Sequence, residues 1–140
     1  MNADQIAKLK KISQKLRRSI IRELSAAGSG HSAGCLGLAD VMAVLYFHAM
    51  RLDPENPDWE YRDIFVMSNG HYAPLLYATL AERGFFDKKE LVNLRKFGSK
   101  LQGHPERGSL AGIETTSGPL GCGLSQAAGM AYSLRYLGGF

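Results

Sequence analysis

Residues 64–68, Ile-Phe-Val-Met-Ser, form an apolar run bounded by Asp63 on one side and Asn69-Gly70 on the other. The run has the length and composition of a strand buried on both faces, the kind found inside a parallel sheet. Such a strand cannot stand alone, because its backbone N–H and C=O groups need a neighbour across a ladder. No other segment of the 140 residues reads as that neighbour. The expected class is therefore α/β, a partial doubly wound fold that is mostly helical with one clear buried parallel-type strand. The missing strands would come from another polypeptide, or from sequence after residue 140, so residues 1–140 read as one incomplete domain.

The remaining segments carry helical signals. Ile6, Leu9, Leu16, Ile20 and Leu24 recur at helical spacing and predict an amphipathic helix over residues 3–26. Asn2 with Gln5 forms a capping-box pattern at its start, and Gly28 can end it. A nearly all-apolar stretch predicts a buried helix over residues 36–50, and Pro54 and Pro57 hold an irregular connection after it. Further helices are expected over 73–83 with Gly84 as its cap, over 88–97 between Asp87 and Gly98, and over 124–137 before Gly138-Gly139. Residues 98–123 hold seven glycines and no apolar period, and loops of this length in compact domains are usually functional.

Composition excludes some classes. An apolar share of 45% and a charged share of 21% suit a globular chain, and no apolar run reaches the ~20 residues of a membrane span. The polar amino terminus does not read as a secretory signal. Cys35 and Cys122 stand far apart, with neither a disulfide framework nor a metal-type pair, so a cytoplasmic location is expected. Lys8, Lys10, Lys11, Lys15, Arg17, Arg18 and Arg22 crowd the first helix. They read either as a nucleic-acid or membrane face or as a solvated helix face. No aromatic residue is interleaved for stacking, so neither a nucleic acid nor a membrane is expected as partner.

Chemistry concentrates where histidine meets glycine: Ser29-Gly30-His31, Asn69-Gly70-His71 and Gly103-His104-Pro105, followed by Gly118-Pro119-Leu120-Gly121-Cys122-Gly123. Glycine lets backbone approach a ligand, and imidazole donates, accepts or titrates near neutral pH. His71, between the apolar run and a helix, suits either a phosphate oxygen or a capping role. The glycine run lacks both the dinucleotide fingerprint and the Walker lysine. Gly30-His31-Ser32-Ala33-Gly34 spells a nucleophile elbow, but a helix precedes it where a strand is required. The histidines lack the spacing of local zinc sites, so no metal ligand is assigned, and His48 reads as structural.

Four stretches together resemble the amino-terminal part of the transketolase family: SGHSAGCLGLADVMAVLYFHAMRLDPENP, RDIFVMSNGHYAPLLYATLAERG, LQGHPERG and IETTSGPLGCGLSQAAGMA. The resemblance implies the first half of a thiamin-diphosphate (pyrophosphate) domain. It places His71 near the cofactor diphosphate, with Gly118, Pro119 and Leu120 beside the aminopyrimidine. His31 and His104 then line the substrate channel as the catalytic histidines. The implied reaction moves a two-carbon ketol unit from a ketose phosphate to an aldose phosphate. Ser32 stands where the family commonly has proline, and Cys122 where it has glutamine.

Thiamin diphosphate and Mg²⁺ are the implied cofactors. The Gly-Asp-Gly metal motif and the activating glutamate of the pyrimidine domain are expected outside these residues. The implied partners are the sugar phosphates and a pyrimidine-domain or carboxy-terminal chain, in a homo- or hetero-oligomer. By this reading the chain alone is inactive. A non-catalytic interaction or folding module of the same ancestry is the alternative.

Overall fold

The computed structural model describes residues 1–136. Helix α1 (Ala3–Ala27) starts with the anticipated capping box: Asn2 Oδ1 accepts from Gln5 N, and Gln5 Oε1 accepts from Asn2 N, both at 2.9 Å. Gly28 closes α1 in the left-handed region at φ 65°, its N–H donating to Leu24 O. The buried face is Leu9, Ile12, Ser13, Leu16, Ile20 and Glu23, a three- and four-residue spacing that includes two polar positions. Ser13 and Arg17 both bind the Asp40 carboxylate, which ties α1 to the segment around Asp40 and lowers the Asp40 pKa to about 2.

The stretch expected as one helix over 36–50 is three pieces: α2 (Ala33–Gly37), α3 (Ala39–Val44) and a π-helical turn (Leu45–Ala49). Gly34 and Gly37 weaken helix propagation there. Gly34 is also required by packing, since a Cβ on it would fall 2.0 Å from the Tyr72 ring. Helix α4 (Ala73–Arg83) is the centre of the molecule, with every residue from 73 to 81 buried. It ends at Gly84 as expected, with φ 104°. Helices α1, α2 and α3 pack around it, as does a 3₁₀ turn (Lys88–Asn93).

That 3₁₀ turn replaces the helix expected over 88–97. Asp87 caps its start, with Oδ1 accepting from Lys89 N, but the turn stops at Asn93 and Arg95 takes φ 60°. Burying both Leu94 and Leu101 forces the reversal, and Arg95 N–H donates to Leu101 O at 2.8 Å. Helix α5 (Cys122–Tyr136) begins two residues before the expected start, and the anticipated stop at 137–139 lies outside the described residues.

The α/β class is corrected. Among the described residues there is no strand and no sheet: residues 64–67 take no regular secondary structure and pair with nothing. Only Met67 of the run is buried, while Ile64, Phe65 and Val66 are half-exposed. Hydrophobicity supplied the composition of a strand, but no ladder partner is present to make one. A groove of about 260 Å³ lies between Ile64 and Val66 and the Ala127, Met130, Ala131 and Leu134 side of α5.

One core position conflicts with its surroundings. Glu23 is completely buried and neither carboxylate oxygen has a partner. Burial pushes its pKa from 4.5 up to about 9, so the folded chain holds a proton there that the unfolded chain releases. Below the unfolded value both states are protonated and nothing is lost. As pH climbs from 4.5 to about 9, stability should fall by about 1.4 kcal/mol per pH unit. Urea unfolding across that window checks this. Glu23→Gln should flatten most of the slope, and Glu23→Leu should add about 2 kcal/mol or more near pH 8. An unchanged slope in Glu23→Gln would contradict the assignment.

Candidate functional site

The chain turns sharply where the 64–68 segment meets α4. Gly70 N–H donates to Ser68 O at 3.1 Å and Tyr72 N–H donates to Asn69 O at 2.8 Å. This closes a 3₁₀ turn (Gly70–Tyr72) that feeds directly into Ala73. The turn is the hub of the site. The His71 ring meets the His31 ring edge-on, with centroids 4.9 Å apart, and the Tyr72 ring at 4.3 Å.

On the other side, Gly70 faces His104 and Ser117. A Cβ at Gly70 would lie 2.7 Å from the Ser117 carbonyl and 2.8 Å from His104 Cδ2, so only glycine fits without displacing backbone. Ser68 Oγ in turn accepts from Gly123 N at 3.2 Å, which docks the start of α5. A Cβ on Gly123 would fall 2.4 Å from that of Ser68, so this junction too is built on a missing side chain.

The three histidines are therefore gathered from three loops far apart in sequence. His31 and His104 are exposed and His71 is half-buried. Tyr77, buried in α4, sends its hydroxyl to Gln102 O at 3.0 Å and fixes the approach to His104. Ser117 N–H donates to Pro105 O at 3.0 Å, closing the loop between them. Arg62 and Glu114 make a two-pronged ion pair at 2.9 and 3.0 Å that anchors the far part of the same loop.

Gly118, Pro119 and Leu120 follow directly from Ser117. Pro119 and Leu120 are exposed, Leu120 at 68%, and a Cβ at Gly118 or Gly121 would meet nothing within 4 Å. This stretch is open backbone beside the hub rather than part of its packing. His48 lies exposed on the π-helical turn, apart from the cluster. Ser32, the would-be elbow nucleophile, follows α1 and makes no capping hydrogen bond.

The sequence reading missed Ser68, Tyr72, Tyr77 and Ser117. A tyrosine in an otherwise apolar buried helix was a usable signal for Tyr77, because its hydroxyl must find an acceptor. Nothing local marks the other three. A cavity of about 560 Å³ opens elsewhere, lined by Glu90, Asn93, Lys96, Phe97, Lys100 and Leu110 and by none of the histidines. It brings no imidazole to a ligand, so the hub is the stronger candidate. Three imidazoles and open glycine backbone make a polar surface suited to an oxygen-rich, anionic ligand. Among the described residues no group of three or more His, Cys, Asp and Glu side chains is placed to hold a metal.

Residues 9–139 match the family described as transketolase, thiamine diphosphate binding domain. Mouse transketolase is 50% identical over 131 residues, covering 91% of this chain and 20% of that protein. Human transketolase is 48% identical over 128 residues, with the same coverage of 91% and 20%. A solved transketolase from Leishmania mexicana superposes with a TM-score of 0.89 at 38% identity, over 92% of this chain and 19% of that one. The chain thus spans about a fifth of the length of the relatives it matches. On its sequence and its fold, it belongs to the transketolase family and corresponds to part of that family's thiamine diphosphate binding domain.

Proposed function

We propose that this chain supplies one wall of a transketolase active centre, which moves a two-carbon ketol unit from a ketose phosphate to an aldose phosphate. The observation that carries the reading is the convergence of His31, His71 and His104 on the 68–72 turn, beside the Gly118 loop. The residues present fit an anionic cofactor: the hub has imidazole donors, and the Gly118 stretch leaves its backbone uncovered.

Thiamin diphosphate, when bound, supplies the electron sink for carbon–carbon cleavage next to a ketone. His71 would donate to a diphosphate oxygen. The Leu120 carbonyl would accept from the exocyclic amino group of the aminopyrimidine, with Gly118 and Pro119 shaping that approach. His31 and His104 would hydrogen-bond the hydroxyl and carbonyl oxygens of the ketose and orient it. Magnesium would take oxygen ligands from outside the described residues, and a pyrimidine-domain chain would complete the centre. The setting we propose is cytoplasmic.

Two outcomes follow. Calorimetric titration should detect weak thiamin diphosphate binding by the wild-type chain. His71→Ala should weaken it about tenfold, the size of one charge-assisted hydrogen bond, while His48→Ala leaves it unchanged. Gly70→Ala should abolish it and cost about 1–3 kcal/mol of stability, because the new methyl meets backbone. Equal affinity in wild type, His71→Ala and Gly70→Ala would reject the site. Separately, the chain with thiamin diphosphate and magnesium should show negligible ketol transfer in a coupled assay; turnover at a normal enzymatic rate would show that no further chain is needed.

A further inference from the structure

Arg95 has no role in the reading above, yet it sits between two of the three histidine loops. It is the one non-glycine among the described residues with positive φ, at 60°. In that region the Cβ of any residue but glycine crowds the following carbonyl oxygen, so something must hold Arg95 there. Its N–H donates to Leu101 O at 2.8 Å, which closes the 95–101 loop and aims the side chain back toward the site. Its Nη1 donates to Ser29 Oγ at 3.1 Å, two residues before His31.

The guanidinium also lies close to two glycines. A Cβ at Gly103 would stand 3.1 Å from Arg95 Nε and 3.5 Å from Cζ, and one at Gly30 would stand 3.9 Å from Cζ. The group thus spans the gap between Ser29-Gly30-His31 and Gly103-His104. No carboxylate among the described residues pairs with it. Its planar group, bonded to the Ser29 hydroxyl on one side and lying beside Gly103 on the other, spans the two loops in a way a lysine ammonium does not.

The two loops are not held equally. His104 has a second tether through Tyr77, whose hydroxyl binds Gln102 O. Among the described residues, the one side-chain hydrogen bond to Ser29–His31 comes from Arg95, beside the ring contact of His31 with His71. We propose that Arg95 is a positioning residue for His31, pinning its loop onto the Gly103-His104 segment so that the imidazole stays against His71. The consequence for ketol transfer rests on the reading of His31 as a substrate-facing group. The positioning itself does not.

The test is therefore structural. In the histidine-labelled chain, NMR should show a cross-peak between the His31 and His71 rings and another between Gly70 and His104. Arg95→Gly removes the guanidinium while relieving the left-handed backbone, so the fold is retained. The His31–His71 cross-peak should vanish, the Gly70–His104 cross-peak should persist, and millimolar guanidinium ion should restore the first. Survival of both cross-peaks would overturn the proposal, and so would loss of both, which would make Arg95 a general structural support. Ser29→Ala, which keeps Arg95 in place, should also lose the His31–His71 cross-peak if the pin is real; its survival would count against the proposal. Failure to bind thiamin diphosphate in the calorimetric titration would remove the functional reading and leave these results standing.

Discussion

The arrangement of this molecule depends on one absent side chain. At Gly70 the backbone passes so close to the Ser117 carbonyl and the His104 ring that no Cβ fits between them. That contact draws the glycine-rich loop onto the start of α4, and with it His104 and the segment leading to Leu120. His31 and Tyr72 approach from the other side, through ring contacts with His71. Remove the contact and three loops lose their common floor. The central helix has other support, since α1, α2, α3 and the Lys88–Asn93 turn pack around its buried residues 73 to 81.

The scaffold explains why loops can be held so closely. Helix α4 is buried on every side, so its start is a fixed platform from which the 68–72 turn projects. Tyr77 from that helix and the Arg62–Glu114 pair then fasten the long loop at two points, with Ile113, Thr115 and Ser117 buried along it. Loops that converge on one place need a rigid support, and here the support is one helix. In contrast, α5 buries only Gly123 and leaves Leu124, Tyr132 and Tyr136 exposed. It is attached at one end, beside an apolar segment that has no ladder.

Those two elements also mark where sequence reasoning succeeded and failed. Short-range signals were legible: the Asn2–Gln5 cap, the Gly28 and Gly84 stops and the span of α4 follow from local chemistry. The grouping of His31, His71 and His104 was legible as a motif, since each stands beside glycine, although their contacts needed three dimensions. Residues 64–68 were misread because apolar composition reports burial potential, whereas a strand also requires a partner that the described residues do not present. The helix expected over 88–97 failed for a related reason: Leu94 and Leu101 are both drawn into the core, and only a reversal at Arg95 satisfies both. Arg95 and Glu23 were invisible, because each owes its importance to neighbours distant in sequence.

The central claim is that a thiamin-type cofactor meets this chain at the 68–72 turn. Amide chemical-shift mapping during titration with thiamin diphosphate addresses it most directly. The account predicts the largest shifts at Gly70, His71, Gly118 and Leu120, with little change at Phe97 and Lys100. Shifts centred on the Phe97–Lys100 cavity, or spread without focus over the surface, would contradict it.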